Sequence, residues 1–235
     1  MGGRVLALVH GVRPEWRETV LGSLLPAFVD RGFDVVIHDV EDGPPPPSTG
    51  FDLVCVTGSP DSAFDAALPW VEPELRYLSD TIGRQVPIFG ICFGAQILAR
   101  ALGGSVAPST RPEHGFVTVS TTRPDLVDAG PWMEFHHDTI TVSDVAEVIA
   151  VNDAGVQAYV SGPHLGVQFH PEITPDCFSG WRKGFTSARS GSDDGTVDTR
   201  ALAADIETAS ADAAARCDRL VERFLQHAGI GQPVG

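Results

Sequence analysis

Short apolar runs alternate with longer amphipathic segments over the first hundred residues. The runs are almost unbroken, which is typical of strands buried on both faces of a parallel sheet, and the segments between them have helical spacing. The predicted strands are 4–10, 33–37, 51–57 and 86–89, and the predicted helices are 15–31, ending at Gly32, 69–83 and 95–102. This repetition predicts an α/β fold, a three-layer sandwich around a central, mostly parallel sheet.

The pattern changes after residue 106, where the apolar runs become shorter. Short strands are predicted at 116–120, 139–142 and 148–151, followed by a final strand at 164–171, and we expect them to continue the same core sheet in mixed or antiparallel fashion. The polar segment 187–198 predicts a surface loop. A long C-terminal amphipathic helix follows, with its apolar stripe at Leu202, Ile206, Ala209, Ala213, Cys217, Leu220 and Phe224.

Charge and cysteine content narrow the classes of protein to which the chain can belong. The sequence has 16 Lys and Arg against 31 Asp and Glu, a net charge of −15, which disfavours nucleic acids and anionic membranes as partners. The four cysteines are widely spaced without a C-x-x-C pair, which predicts neither a zinc site nor a disulfide framework. With no apolar segment long enough to cross a bilayer, we expect a cytoplasmic protein in which Cys55 and Cys217 pack in the core.

Cys92 lies at a predicted strand-to-helix turn, between Gly90 and Gly94. Small residues two before and two after a nucleophile allow the sharp turn of a nucleophile elbow, and the start of the following helix favours the thiolate form of a cysteine. The alternative interpretation is core packing, because free cysteine is among the most buried residue types. Cys92 can act as a nucleophile only if a base lies nearby.

A candidate base and its support occur together near residue 170. His170 and Glu172 are two apart at the end of an extended segment, and in a strand such residues project from the same face. If His170 accepts the Cys92 proton while Glu172 holds its other ring nitrogen, the three form a triad suited to acyl transfer. The alternative interpretation is an exposed His-Pro-Glu turn.

The two segments together resemble one family, the class I glutamine amidotransferases. Its G-x-C-x-G-x-Q pattern is similar to residues 90–96 of this chain, and its H-P-E pattern to residues 170–172. The similarity covers roughly residues 4–180 and looks most like the free-standing branch that is similar to the glutaminase half of GMP synthase. It implies a flavodoxin-like fold and a single domain over residues 1–235, with a catalytic core at about 4–180 and a C-terminal loop and helix at 181–235.

The resemblance also implies roles for residues outside the triad. Backbone amides at the Gly58-Ser59 turn and at Phe93 would form the oxyanion hole. The glutamine pocket would include Gln96, Glu113, Gly115, His136 and Asp138. The alternative interpretation of Gln96 is an amide on the helix surface, and that of Glu113 is a solvated charge in a loop. Neighbouring histidines such as His136 and His137 point in opposite directions in an extended chain, and no third strong ligand is close in sequence, so no metal site is expected. No other cofactor is expected either.

The implied reaction is hydrolysis of the γ-amide of L-glutamine through a thioester at Cys92. The sequence contains no G-x-x-x-x-G-K-[ST] loop, so the resemblance implies that ammonia passes to a separate synthase. Two alternatives remain open. The turn 58–60, followed by Asp61 to Asp65, is also similar to γ-glutamyl peptidases, which cleave conjugates such as glutathione adducts. A catalytically silent scaffold would be favoured by loss of a triad residue, and none is missing.

Overall fold

The computed structural model describes residues 2–186 and 197–231, and the predicted loop at 187–198 lies mostly outside them. The strands are β1 (Arg4–Val9), β2 (Asp34–Asp39), β3 (Leu53–Val56), β4 (Ile88–Ile91), β5 (Ser105–Val117), β6 (Ser120–Thr121), β7 (Trp132–Thr141), β8 (Glu147–Asn152), β9 (Gly155–Ser161) and β10 (His164–Val167). The helices are α1 (Leu24–Val29), α2 (Val71–Gly83), α3 (Phe93–Ala101), α4 (Pro175–Gly184) and α5 (Thr199–His227).

Eight strands form the central sheet in the order β2-β1-β3-β4-β10-β9-β8-β6. The pairings from β2 through β10 are parallel, and those from β10 through β6 are antiparallel. The predicted continuation of the core is confirmed for the strand at 148–151, which lies in β8. It is wrong for the strand at 139–142, which lies in β7, and the strand at 116–120 is divided between the end of β5 and the start of β6. β5 and β7 form a separate antiparallel ribbon. No residue of β5 is fully buried, which explains this, because such a strand has little to bury inside a sheet.

Successive side chains of the parallel strands supply two apolar layers. Val5, Leu53 and Phe89 belong to the layer under α1 and α5, while Leu6 and Val54 belong to the layer under α2 and α3. Because side chains alternate along a strand, the unbroken apolar runs of the sequence fill both faces of the sheet. The predicted three-layer α/β sandwich is confirmed.

The single helix predicted over residues 15–31 is wrong. Two single 3₁₀ turns, Pro14–Trp16 and Thr19–Leu21, precede the short α1. Gly22 interrupts the helix with a φ of 48°, a value that helical residues do not adopt. The break has a tertiary cause: the Ser23 N–H donates a 2.9 Å hydrogen bond to the carbonyl of Glu172, far along the chain.

The C-terminal elements cover one side of the fold. Helix α4 was not predicted, whereas the predicted amphipathic helix is confirmed as α5, which Asp198 caps through its carboxylate. The stripe of α5 is buried apart from Ala209, which is half-buried, so Cys217 packs in the core as expected, and so does Cys55. None of the helices in the described ranges has the length and hydropathy that a membrane span requires.

Gly22→Ala should lower stability well beyond the usual cost of alanine at positive φ. A Cβ at Gly22 would lie 2.0 Å from the Glu172 carbonyl oxygen, so the backbone of one segment must move. Gly32→Ala is the matched control, because Gly32 also has a positive φ, of 82°, but has nothing within 4 Å of the added Cβ. Thermal unfolding should show a loss of roughly 2–4 °C for the control, from about 1 kcal/mol of backbone strain, and a clearly larger loss for Gly22→Ala. Equal losses of thermal stability in the two variants would contradict the close approach of Gly22 to the Glu172 carbonyl.

Candidate active site

The register of the sheet brings three chain segments to one edge. Val56 of β3 lies beside Gly90 of β4, and Ile91 of β4 lies beside Val167 of β10. The residues that follow these strands therefore leave the sheet side by side, at the carboxyl ends where open α/β sheets bind ligands. They are the turn at Gly58, the turn at Cys92 and the segment that leads to His170.

Cys92 occupies a strained turn between β4 and α3. Its φ is 52° and its ψ is −108°, a conformation that costs a side-chain-bearing residue about 1–3 kcal/mol. Two backbone bonds hold it there, from the Cys92 N–H to the Val167 carbonyl at 2.8 Å and from the Gln96 N–H to the Cys92 carbonyl at 3.0 Å. The side chain is 5% exposed and lies at the N-terminus of α3, so the predicted elbow geometry is present.

His170 connects Cys92 to Glu172. Its Nδ1 lies 2.7 Å from Glu172 Oε1, and the Cys92 side chain is within hydrogen-bonding reach of the same ring. Burial lowers the pKa of His170, but the charges of Glu172 and Cys92 and hydrogen bonds to both outweigh burial and hold that pKa well above its usual value. A buried imidazolium next to the cysteine can stabilise a thiolate and later supply a proton.

The chain around His170 is not the strand that the sequence predicted. Strand β10 ends at Val167, and His170 forms only an isolated bridge, its N–H donating to the Met133 carbonyl at 2.7 Å. Glu172 follows in a turn, where its carbonyl accepts the Ser23 N–H. Contacts with β7 and with the start of α1 therefore place the two side chains, and strand periodicity does not.

Gly58 and Ser59 lie beside the Cys92 turn. A Cβ on Gly58 would be 2.9 Å from the Cε1 of His170 and 3.8 Å from the Cβ of Cys92, so glycine allows this close approach. Phe93 begins α3 directly after the cysteine. Gly58 and Ser59 thus line the same cavity as Cys92, and Phe93 follows the cysteine directly, so these are the backbone segments from which donors to an oxyanion would have to come.

A cavity of about 390 Å³ opens over Cys92. Of the predicted pocket residues, Gln96, His136 and Asp138 line it. Glu113 and Gly115 are not among the described residues of its wall. Glu113 lies behind His136, where its carboxylate accepts hydrogen bonds from Asn152, Gln157 and His136.

Sequence reasoning missed two residues next to the reactive groups. Gln168 is buried, and its side-chain amide lies 3.6 Å from the Cys92 sulfur and 3.3 Å from the amide of Gln96. The indole of Trp181, on α4, packs against the His170 ring with centroids 4.5 Å apart. Gln168 stands two residues before His170 in the sequence, but nothing local signals Trp181, because α4 was not predicted.

Glu113, Glu134 and His136 form a buried charge cluster behind the cavity wall. Their ligand atoms lie within 4.8 Å of one another, a set that could hold a cation. His136 Nδ1 is 2.9 Å from the Asp138 carbonyl, and Nε2 is 3.2 Å from Glu113 and 3.3 Å from Glu134. Burial lowers the pKa of His136, but the two carboxylates outweigh it and raise the pKa to about 10. A proton on His136 therefore offsets part of the negative charge of this cluster at neutral pH, while neither carboxylate oxygen of Glu134 has a hydrogen-bond partner among the described residues.

The pH dependence of stability tests this protonated histidine. Because the folded-state pKa is about 10 and the unfolded value is about 6.5, the stabilisation is complete below about pH 6.5 and is lost as pH rises towards 10. The unfolding midpoint of His136→Gln, measured from pH 6 to 10, should therefore fall less steeply than that of the wild type. If the unfolding midpoints of the two proteins changed with pH in parallel, His136 would not be charged in the folded state.

The family model "Glutamine amidotransferase class-I" matches residues 17–179. A subunit of the glutamine-hydrolyzing GMP synthase from Ignicoccus hospitalis is 34% identical over 62% of this chain and 82% of its own length. The glutamine-hydrolyzing GMP synthase of Mycobacterium marinum is 35% identical over 50% of this chain, but the match spans only 23% of that longer protein.

Solved structures show the same fold at lower sequence identity. A glutamine amidotransferase from Thermotoga maritima superposes with a TM-score of 0.80 at 22% identity, over 96% of this chain and 99% of its own. A glutamine amido transferase from Methylobacillus flagellatus superposes with a TM-score of 0.76 at 19% identity, over 99% and 97%. Together with the match of the family model to most of the sequence, these similarities show that the chain belongs to the class I glutamine amidotransferases, a family of enzymes.

Proposed function

We propose that the protein is a glutaminase that hydrolyses the γ-amide of L-glutamine and supplies the ammonia to a separate synthase. The observation that carries this proposal is the contact of His170 with both Glu172 and Cys92 at the floor of an open cavity. This is the arrangement that nucleophilic acyl transfer requires, in which a base activates the nucleophile and a third group orients the base.

In the first half of the reaction, the Cys92 sulfur attacks the γ-carbonyl carbon of glutamine. The carbonyl oxygen becomes an oxyanion, which the N–H groups of Ser59 and Phe93 stabilise. His170 then donates a proton to the amide nitrogen, the C–N bond breaks and ammonia leaves. A γ-glutamyl thioester remains on Cys92.

In the second half, water replaces ammonia next to His170. The imidazole takes a proton from the water while its oxygen attacks the thioester carbon, and a second oxyanion forms in the same hole. The C–S bond then breaks to release glutamate, and Cys92 and His170 return to their starting state. Glu172 does not need to change protonation, because its carboxylate holds the ring through Nδ1 in both halves.

A separate ammonia acceptor is part of the proposal for two reasons. The sequence contains no G-x-x-x-x-G-K-[ST] loop, and the similar Ignicoccus protein is by its name one subunit of a GMP synthase. The net charge of −15 favours a protein or small-molecule partner over a polyanion. The match to full-length GMP synthases covers about a quarter of their length, so the acceptor reaction would belong to another polypeptide segment.

A γ-glutamyl peptidase is the second candidate function, and the composition and size of the cavity support it. Phe135, Phe178 and Trp181 form an aromatic wall beside His170, and a volume of about 390 Å³ is within the range of sites for larger ligands as well. The chemistry would be the same acyl transfer with a larger leaving amine. Substrate preference therefore has to separate the two candidates.

The test is glutamate release from L-glutamine and from a γ-glutamyl thiol conjugate, measured in parallel. Wild-type protein should release glutamate from glutamine, and Cys92→Ala should reduce this by at least about 10³-fold, because among the described residues of the cavity wall Cys92 is the only cysteine that could form the thioester. Cys217→Ala is the matched control, since Cys217 is also a buried free cysteine but packs in α5 away from the cavity. Its activity should stay near that of the wild type.

Each result has a defined meaning. Hydrolysis of glutamine with little action on the conjugate supports the ammonia-supplying enzyme, and the reverse preference assigns a γ-glutamyl peptidase. Equal, measurable activity of wild type and Cys92→Ala would overturn the role of Cys92. A wild type that releases no glutamate from either substrate would revive the catalytically silent scaffold.

Removal of metal ions gives an independent check on the chemistry. The proposed steps use only side chains and backbone amides, and a protonated His136 lies 3.2 Å from Glu113 and 3.3 Å from Glu134, where its charge disfavours a cation. Dialysis against EDTA should therefore leave the rate of glutamate release unchanged, as measured beside an undialysed sample. A loss of activity that divalent ions restore would contradict the metal-free mechanism.

A further inference from the structure

His10 and Glu74 form a buried ion pair underneath the active-site turn. His10 directly follows β1 and Glu74 lies on α2, and their side chains are at most 1% exposed. The Nε2 atom of His10 is 3.1 Å from Glu74 Oε1 and 3.3 Å from Oε2, while Nδ1 is 3.2 Å from the carbonyl oxygen of Gly58. Neither side chain is part of the described cavity wall, so the pair does not contact a substrate there.

Both ring nitrogens of His10 face groups that only accept hydrogen bonds. A carboxylate stands at Nε2 and a peptide carbonyl at Nδ1, so the ring satisfies both as an imidazolium. Burial lowers the pKa of His10, but the charge of Glu74, its hydrogen bond and the Gly58 carbonyl outweigh burial and raise it. Asp39 also raises this pKa, and Glu41 is near enough to interact with His10. The Nδ1–H is thus fixed as a donor to Gly58.

The bond to Gly58 determines which way the next peptide N–H points. A trans peptide is planar, so the C=O of Gly58 and the N–H of Ser59 point in opposite directions. Holding the oxygen towards His10 turns the Ser59 N–H to the other side, where Gly58, Ser59 and Cys92 all line the cavity. Glycine opposes rotation of its peptide less than other residues do, so bonds to the carbonyl have to fix it. The Thr57 hydroxyl lies 3.4 Å from this oxygen but is closer, at 3.0 Å, to the carbonyl of Leu8, which leaves His10 as the nearer donor.

His10 also contacts the second element of the oxyanion hole. Its ring packs against the ring of Phe93 with centroids 4.6 Å apart, and Trp70 packs against both rings. The backbone N–H of Phe93 is the other proposed donor. One buried imidazole therefore links the two segments that have to hold a developing negative charge at a fixed distance from Cys92.

We propose that His10, held by Glu74, is a positioning residue that keeps the Gly58–Ser59 peptide in the orientation required for the oxyanion hole. This inference rests on the proposed function, because it assigns a source of transition-state stabilisation to that reaction. Loss of the Nδ1 donor allows the peptide to rotate and present its carbonyl oxygen, which repels an oxyanion, to the cavity.

Two isosteric substitutions separate the two bonds of His10. The side-chain amide of asparagine can occupy the position of Nδ1, so His10→Asn keeps the donor to Gly58 and loses the bond to Glu74. Glutamine can place its amide at the position of Nε2, so His10→Gln keeps the bond to Glu74 and loses the donor to Gly58. If the buried charge of Glu74 prevents folding of His10→Asn, the double variant with Glu74→Gln removes that charge.

The experiment measures kcat and KM for γ-glutamyl hydrolysis, together with the rate at which iodoacetamide alkylates Cys92. Alkylation occurs at a saturated carbon and forms no oxyanion, so it reports thiolate reactivity alone. We expect His10→Gln to lower kcat by about 10²–10³-fold, as loss of one oxyanion donor does elsewhere, with KM and alkylation nearly unchanged. His10→Asn should keep kcat within about tenfold of the wild type, although it unfolds at a lower temperature.

His38 provides the matched control, because its Nε2 makes a similar 3.0 Å bond to the carbonyl of Gly43. His38 lies on β2, the edge strand of the sheet, which is not next to β4 and Cys92. His38→Asn and His38→Gln should leave kcat unchanged. Equal losses of kcat in the two His10 variants, or a parallel loss of alkylation, would overturn the positioning role alone. A wild type that hydrolyses no γ-glutamyl compound would instead overturn the proposed function, and the positioning role with it.

Discussion

The parallel pairing of β3, β4 and β10 is the constraint on which the site depends. Each strand is four residues long and fully buried, so each is fixed by packing on both faces and by neighbours on both sides. Because the strands end at the same edge, the turn after β3, the cysteine after β4 and the segment after β10 emerge within a few ångströms of one another. Packing of these strands in the core therefore offsets the backbone strain of Cys92, whose φ is 52°.

Local sequence was sufficient to predict the elements whose cause is local. The apolar runs of β1 and β3, the periodicity of α2 and α5, and the glycines around Cys92 carry their own signals, and the structure has all of these elements. The predicted helix at 15–31 was wrong because its break at Gly22 depends on the carbonyl of Glu172, which no local pattern contains. Propensity yields to a tertiary contact at this point.

The candidate site shows the same division. The contact of His170 with Glu172 was predicted from strand periodicity, and the structure has the contact but makes it in a turn that packs against β7 and the start of α1. Gln168, Trp181 and His10 were missed because their closeness to Cys92 or Gly58 follows from register and packing between elements. Periodicity predicts which face a residue occupies, but it does not predict what lies opposite.

Three buried histidines surround the cysteine, and each is held by carboxylates. His170 has Glu172, His136 has Glu113 and Glu134, and His10 has Glu74. Buried ion pairs contribute little net stability, since desolvation offsets much of the attraction, so stability alone does not account for three of them around one cavity. Their common property is directional: in each ring at least one nitrogen is bonded to a carboxylate, which restricts rotation of the imidazole. Such rings lie next to the reactive sulfur, in the pocket wall and at the Gly58 turn, and the proposed function requires this preorganisation to stabilise a short-lived oxyanion.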